Sequence, residues 1–370
     1  MLYVLIIVFS LSLYLGALLL PRVVELSHEL HLYDFPDSRK VHKLPIPRLG
    51  GVVFLPVVTI VIAITIVVLI RIDFHFDTLW NGSAVSHFLA YMGGAMMLYA
   101  IGLYDDIHGV GYKVKFLVQI ASASLLCVSG LWISNMYYIF FINELPYWVG
   151  MPVTILFVVY VTNAVNLIDG IDGLASGLSA IALLVIAVLD IMAGDGAWAM
   201  MAVAYLGVLI SFFYYNVYGT SHKTFMGDAG SLTLGFTLSF LILHFWQINP
   251  VWNHNFHNVG IVAASTLVIP TFDVVRVMMS RIRDGRNPFL PDKNHIHHKL
   301  LRSGLNAKMS MVTLLLMAVG IVAINYVMAS FVSQTLMIIV DMILFCVVHL
   351  ILNVFIAKKE KNGIVWNKVF

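Results

Sequence analysis

Long apolar runs separated by short polar connections dominate the chain from its first residues to its last thirty. The runs fall at 2–20, 50–70, 87–104, 116–134, 149–165, 174–192, 197–218, 230–247, 258–280, 310–330 and 335–357. One crossing of a bilayer takes about 20 apolar residues, so the pattern predicts roughly eleven membrane-spanning helices. Helices are expected because in lipid each backbone donor must find its acceptor inside the segment. The fifth and eighth runs carry the weakest signal, which leaves ten or twelve spans as the nearest alternatives. The expected fold class is all-α: a polytopic membrane helical bundle forming one domain over 1–357, followed by a short basic tail at 358–370.

Composition agrees with that reading. Of 370 residues, 61% are hydrophobic and 11% charged, where a soluble domain carries about 25% charged residues. A water-soluble fold this apolar would expose large greasy patches, which soluble monomers avoid. The first run has no positive residue before it and no small-residue cleavage site after it, so it reads as a retained span. Cys127 and Cys346 lie inside apolar runs and read as packing residues. A net charge of +2, with no basic stripe interleaved with aromatics, gives no argument for nucleic acid.

Charge then orients the bundle. The odd-numbered loops and the tail hold Arg22, Arg39, Lys40, Lys43, Arg48, Lys113, Lys115, Lys223, a run of seven bases from Arg281 to Lys308, and the terminal lysines; the even loops hold Arg71 alone. Positive residues stay in the cytoplasm. The N-terminus is therefore expected outside, and the odd loops and C-terminus inside. Aromatic residues such as Trp132, Tyr137, Tyr138, Trp148, Trp246 and Trp252 flank span ends, as interfacial anchors do.

The acids follow the same asymmetry. Asp105 and Asp106 close the third span, Asp169 and Asp172 follow the fifth, and Asp228 precedes the eighth. Asp273 lies about two helical turns inside the ninth. An acid within reach of lipid normally faces a polar cavity and a partner. Carboxylates gathered at one depth repel each other unless a cation joins them, and an oxygen-rich, sulfur-free set favours Mg²⁺ over Zn²⁺. The bland alternative for any single Asp is a helix cap.

Three segments carry the local chemistry. In 163–173, NAVNLIDGIDG, the residues Asn163, Asn166, Asp169 and Asp172 recur every three positions, so a helical end would line one wall with oxygens. Gly170 and Gly173 argue for a tight turn after it. That wall suits Mg²⁺ or the hydroxyls of a sugar or nucleoside, against a plain polar helix terminus. In 225–231, FMGDAGS, glycines flank Asp228 and a helix N-terminus opens toward the inner face, a place that attracts phosphate. In 291–298, PDKNHIHH, His295, His297 and His298 join a loop rich in Lys and Arg. Zinc would need closed ligand geometry; anion binding, proton handling and a solvated loop are the other readings. His42, among Arg39, Lys40 and Lys43, is as readily a surface residue. Arg48, before Gly50 and Gly51, and Lys115, at the start of the fourth span, would sit at headgroup depth near the acids. Acids, bases and Gly-flanked turns at one depth fit a diphosphate held by a divalent cation and cationic side chains.

With these motifs in order, DSRKVHKLPIPRLGG at 37–51, LYDD at 103–106, NAVNLIDGIDGLASG at 163–177, FMGDAGS at 225–231 and PFLPDKNHIHHKL at 288–300, the chain resembles the polyprenyl-phosphate N-acetylhexosamine-1-phosphate transferases, glycosyltransferase family 4. HIHH after PDKN looks more like the bacterial undecaprenyl-phosphate N-acetylglucosamine-1-phosphate branch. Ile168 and Ile296 depart from the muramoyl-pentapeptide branch. The resemblance implies a transfer of N-acetylglucosamine 1-phosphate from UDP-N-acetylglucosamine to undecaprenyl phosphate, with UMP released and a cell-surface glycan initiated. Another UDP-N-acetylhexosamine or UDP-muramoyl-pentapeptide is the alternative donor, and an anion transporter the alternative outside enzymes.

The resemblance also assigns residues. Asp105 and Asp106 are the implied catalytic pair and Asn166 and Asp228 the metal-side residues. Arg48, Lys115, Asn163, Asp169, Asp172, His295, His297 and His298 are implied on the substrate side. Mg²⁺ is the implied ion, with Mn²⁺ as its substitute. The implied setting is the bacterial cytoplasmic membrane, with the site facing the cytoplasm and a homodimer left open.

Overall fold

A computed structural model describes residues 1–34, 45–72, 74, 82–248, 258–287 and 294–361. His42, Arg39, Lys40, Lys43, Lys293, Trp252 and the end of the tail lie outside the described residues.

Each apolar run forms a helix. They are α1 (Leu2–Glu29), α2 (Phe54–Arg71), α3 (Gly82–His108), α4 (Tyr112–Val128), α5 (Tyr147–Ile168), α6 (Leu174–Ala193), α7 (Gly196–Tyr218) and α8 (Gly227–Ile248). The pair α9 (Val259–Ser265) and α10 (Val268–Arg283) follows, then a short α11 (Ile296–Arg302), α12 (Ala307–Met328) and α13 (Gln334–Lys361). Among the described residues, nine helices are long and apolar enough to cross a membrane, or ten if the bent pair α9/α10 counts as one span. The expected eleven differ at the fourth run. There α4 has only 17 residues, about 25 Å of rise, at the lower limit for a crossing. The ninth run is helical but bends by 66° between α9 and α10, and Pro270 sits in the first turn of α10, where its missing N–H costs no intrahelical bond.

Two small antiparallel hairpins add to the helices. One pairs β1 (Tyr33–Asp34) with β2 (Ile46–Pro47), and the other β3 (Asn135–Ile139) with β4 (Ile142–Glu144). The second lies where the aromatic pattern suggests plain interfacial anchors. Trp246 Nε1 donates to the Asn135 carbonyl at 2.6 Å, and the Phe140 amide donates to Thr335 Oγ1 at 2.9 Å.

The centre of the bundle is α8, which is almost wholly buried, whereas α1 is mostly exposed on the outside. It packs on α3 and α5, while α1 lies along α7. Small residues allow these approaches, as in other membrane bundles. A Cβ on Gly94 of α3 would come within 2.6 Å of the Phe236 ring of α8, and one on Gly16 of α1 within 3.1 Å of Ser211 of α7.

At one end of the bundle, a 3₁₀ turn at Gly50–Val53 lies directly on the start of α8. The Gly50 and Gly51 amides donate to the Phe225 and Met226 carbonyls at 2.9 and 2.8 Å. A side chain at Gly51 would overlap the Gly230 backbone. The two Gly-containing motifs are therefore two backbones in contact, and they fix the end of the molecule where the polar residues gather.

Candidate functional site

The site is assembled from four helix ends. The last turn of α3 carries Asp105 and Asp106, the first turn of α4 carries Lys115, the last turn of α5 carries Asn166, and the first turn of α8 carries Asp228. Gly102 makes the α3–α8 contact close: a Cβ there would lie 2.6 Å from Ala229 Cα.

Asp106 is 4% exposed. Its two carboxylate oxygens accept the Asp228 and Ala229 amides at 2.9 and 3.0 Å. These are orphan donors of the first turn of α8. The helix N-terminus read from the sequence as a phosphate seat is thus already capped by Asp106, across the chain. Gly227 permits the turn that presents the two amides, at φ 71°. Arg48 closes the other side. Its Nε donates to the Asp106 carbonyl at 2.8 Å, and its Nη2 donates to the carbonyls of Asp105 at 3.0 Å and Asp106 at 2.6 Å. A cation on the final carbonyls of α3 also suits the negative end of the helix dipole.

Lys115 joins the two remaining acids. Its Nζ lies 2.9 Å from Asp105 Oδ2 and 2.6 Å from Asp228 Oδ2. Asp105 Oδ1 accepts the Val110 amide at 2.6 Å. Asn166 Nδ2 donates to Asp228 Oδ1 at 3.0 Å and to Ser231 Oγ at 2.8 Å. Asp105, Asp106 and Asp228 each offer an oxygen within 4.8 Å of the others, the one group of three metal-capable side chains among the described residues. The donors are all oxygens, and the Lys115 ammonium already bridges two of them as a cation would. The set fits a hard divalent ion.

A cavity of about 710 Å³ opens beside this cluster. Arg48, Asp106, Asn166, Asp169, Asp172 and Asp228 line it, together with His298. Asp169 is exposed to the cavity yet surrounded by protein. Loss of bulk hydration first, and then the carboxylates of Asp172, Asp228 and Asp106, push its carboxyl up to about 7. Asp172 pairs instead with Lys223 Nζ at 2.5 Å.

Other expected site residues sit behind the cavity wall. Asn163 exchanges hydrogen bonds with Gln119, its Nδ2 donating to Gln119 Oε1 at 2.6 Å, and bonds the Val159 carbonyl at 2.7 Å. It braces α5 against α4. Of the three histidines, only His298 lines the cavity. His295 is buried with Nδ1 2.8 Å from Asp273 Oδ2. His297 is 1% exposed, and burial followed by the charges of His298 and His295 holds its ring well below the ordinary imidazole range. Asp273, expected with the other acids, lies apart from them and pairs with Arg276 and His295.

Among the titratable residues lining the cavity, His28, Asp34 and Lys223 are not read from the sequence as site residues. Asp34 approaches Arg48 Nη1 at 3.7 Å. The available signals are slight. Lys223 is the single base of its loop, and Asp34 merely precedes the basic run after α1.

Comparison with known proteins comes to the same region. The family described as Glycosyl transferase family 4 matches residues 88–245, a stretch that contains the acidic cluster. The chain is 30% identical over 314 residues to the probable undecaprenyl-phosphate N-acetylglucosaminyl 1-phosphate transferase of Bacillus subtilis (strain 168), covering 84% of this chain and 81% of that one. It is 29% identical to the undecaprenyl-phosphate alpha-N-acetylglucosaminyl 1-phosphate transferases of Yersinia pestis, over 78% of this chain and 75% of the relative, and of Escherichia coli (strain K12), over 81% and 77%.

Proposed function

The chain belongs to glycosyl transferase family 4, and on that premise we propose that it transfers N-acetylglucosamine 1-phosphate from UDP-N-acetylglucosamine to undecaprenyl phosphate at the cytoplasmic face of the membrane. An oxygen of the lipid phosphate attacks the sugar-linked phosphorus. The bond from that phosphorus to the bridging oxygen breaks, UMP leaves with the oxygen, and a lipid-diphosphate-sugar remains. One phosphoanhydride replaces another, so the reaction is nearly isoenergetic and reversible.

The observation that carries this reading is the meeting of Asp105, Asp106 and Asp228 with Lys115 and Asn166 beside one cavity, which Asp106, Asn166 and Asp228 line. Mg²⁺ held by the three carboxylates, with Asn166 beside them, would supply charge neutralisation for the diphosphate. Lys115 offers a second positive charge at the same carboxylates. Arg48 holds the Asp105–Asp106 turn in place through its carbonyls. Positioning and electrostatics of this kind dominate phosphoryl transfer. A lipid phosphate, with a second pKa near 6, is largely ionised at neutral pH, so its deprotonation contributes little. Asp169, Asp172 and His298 face the cavity where the nucleotide and sugar would lie.

The test is UMP release in detergent from UDP-N-acetylglucosamine with undecaprenyl phosphate and Mg²⁺. A panel including UDP-N-acetylgalactosamine and UDP-muramoyl-pentapeptide reads the donor preference. UMP release confined to a different donor overturns the sugar assignment, and none from any donor overturns the reaction.

A further inference from the structure

Asp273 belongs to no part of the acidic cluster, yet it is fully buried and accepts hydrogen bonds from three directions. Arg276 approaches from its own helix, Nη2 at 2.7 Å and Nε at 3.2 Å. His295 Nδ1 lies 2.8 Å from Oδ2, and the Ile296 amide donates at 3.0 and 3.1 Å to the two oxygens. Arg276 reaches across as well, donating to the Asn294 carbonyl. Three successive residues are therefore tied to α10 just where α11 begins. His295, at the start of α11, makes no side-chain cap. The Asp273 carboxylate caps that turn from another helix.

What the clamp holds is the donor side of the cavity. His297 follows one residue later, buried, with neither ring nitrogen bonded among the described residues. Its position is set by the backbone that carries it. The ring lies against Gly170, where any Cβ would overlap Nε2. Gly170 is the centre of the turn between Asp169 and Asp172, and His298, the next residue of α11, lines the cavity. The two walls thus meet through one imidazole lying on one glycine.

We propose that Asp273 is a positioning residue for the sugar-nucleotide donor: it locks α11 onto α10 so that His297 props the Asp169–Asp172 turn and His298 faces the donor. The inference rests on the reaction assigned above for its substrate, though the clamp itself can be read without turnover. A buried carboxylate shared by Arg and His would also stabilise any fold, so the test must separate positioning from stability.

Asp273→Asn keeps the acceptor oxygens of the clamp in part and removes its charge. His297→Ala removes the prop and leaves the clamp intact. In the full-length protein in detergent, both variants should raise KM for UDP-N-acetylglucosamine by at least about fivefold, with kcat changed less than about threefold and KM for undecaprenyl phosphate unaltered. The double variant should add little to either, since both act on one turn. Hydrogen exchange of the segment 166–173 should quicken in both. A merely structural Asp273 would instead lower Tm, and with it kcat, leaving both KM values and the exchange of 166–173 unchanged; that result overturns the proposal. If the wild-type protein released no UMP, the reaction assignment would fall, and unchanged exchange in both variants would still overturn the clamp while faster exchange would uphold it.

Discussion

Asp106 joins the end of α3 to the start of α8, and nothing else in the site could substitute for its two oxygens. Each accepts one backbone amide of the Asp228 turn. An asparagine there would turn an amino group toward one of those donors, leaving a buried amide unpaired at a cost of about 1–3 kcal/mol, and would displace Asp228. Asp228 itself faces both Lys115 and Asn166. Asp106→Asn and Asp228→Asn are each expected to lower UMP release at least about a hundredfold, the effect of losing a main electrostatic contributor. Membrane insertion should be unaffected, and near-normal activity in both would reject the site. Asp169 gives a pH signature. Its carboxyl is pushed up to about 7 from 3.8. Below pH 4 it is protonated whether folded or unfolded, and the folded state carries no penalty. Between pH 4 and 7 the unfolded chain ionises while the folded carboxyl keeps its proton, so stability falls across that window and the loss is complete above 7. Asp169→Asn should therefore raise Tm in Mg²⁺-free detergent by more at pH 8 than at pH 5. Added Mg²⁺ should narrow the gap by supplying a counter-charge. A gap independent of pH would mean that the carboxyl is not under this load.

Among the elements, the junction that matters most is the one between the 3₁₀ turn at Gly50–Val53 and the first turn of α8. Gly51 and Gly230 touch backbone to backbone, which only the absence of both side chains allows. Gly51→Ala should destabilise the protein by about 1–3 kcal/mol through overpacking and cut turnover with it, because the displaced turn carries Asp228. Gly320→Ala is the contrast. A Cβ at that α12 position meets nothing within 4 Å, so Tm and activity should match the wild type. Equal effects of the two would mean that the junction is not tight. The sequence already marks both glycine motifs and the helix that ends beside Asp169, though not that the two motifs touch. Glycines flanking an acid, and a three-residue polar period before a Gly turn, have local causes. Asp273 shows where such reasoning stops. Its depth in an apolar run implies a polar partner, but apart from Arg276 on its own helix the partners are His295 and Ile296 at the start of α11, and no local pattern encodes how the chain folds back to bring them there. Asn163 fails for a similar reason. Its period places it on the polar wall, while rotation of α5 turns it onto Gln119. The β3–β4 hairpin stays hidden because its aromatics read equally well as interfacial anchors.

At the scale of the whole molecule, the two ends of the bundle differ in charge, and that difference supports the proposed orientation. The site end carries Arg48, Lys115, Lys223 and the bases of α10 and α11, and it opens into the cavity. The opposite end carries the β3–β4 hairpin, where Tyr138 is 70% and Phe141 97% exposed. Basic residues are retained on the cytoplasmic side during insertion, whereas exposed aromatics suit either interface. The bases therefore support the proposal that the site faces the side where a soluble sugar nucleotide is made. The same depth serves the acceptor, whose phosphate lies in the headgroup layer while its chain stays in lipid. Gly111, which precedes α4 with open space around its Cα, marks the site end, and Phe141 marks the other. With Cys127 and Cys346 replaced by serine, Gly111→Cys should react with an impermeant maleimide only in inside-out vesicles, and Phe141→Cys only in intact spheroplasts. The reverse pattern would place the carboxylates on the side of the membrane that lacks the nucleotide, and the proposed reaction could not occur there.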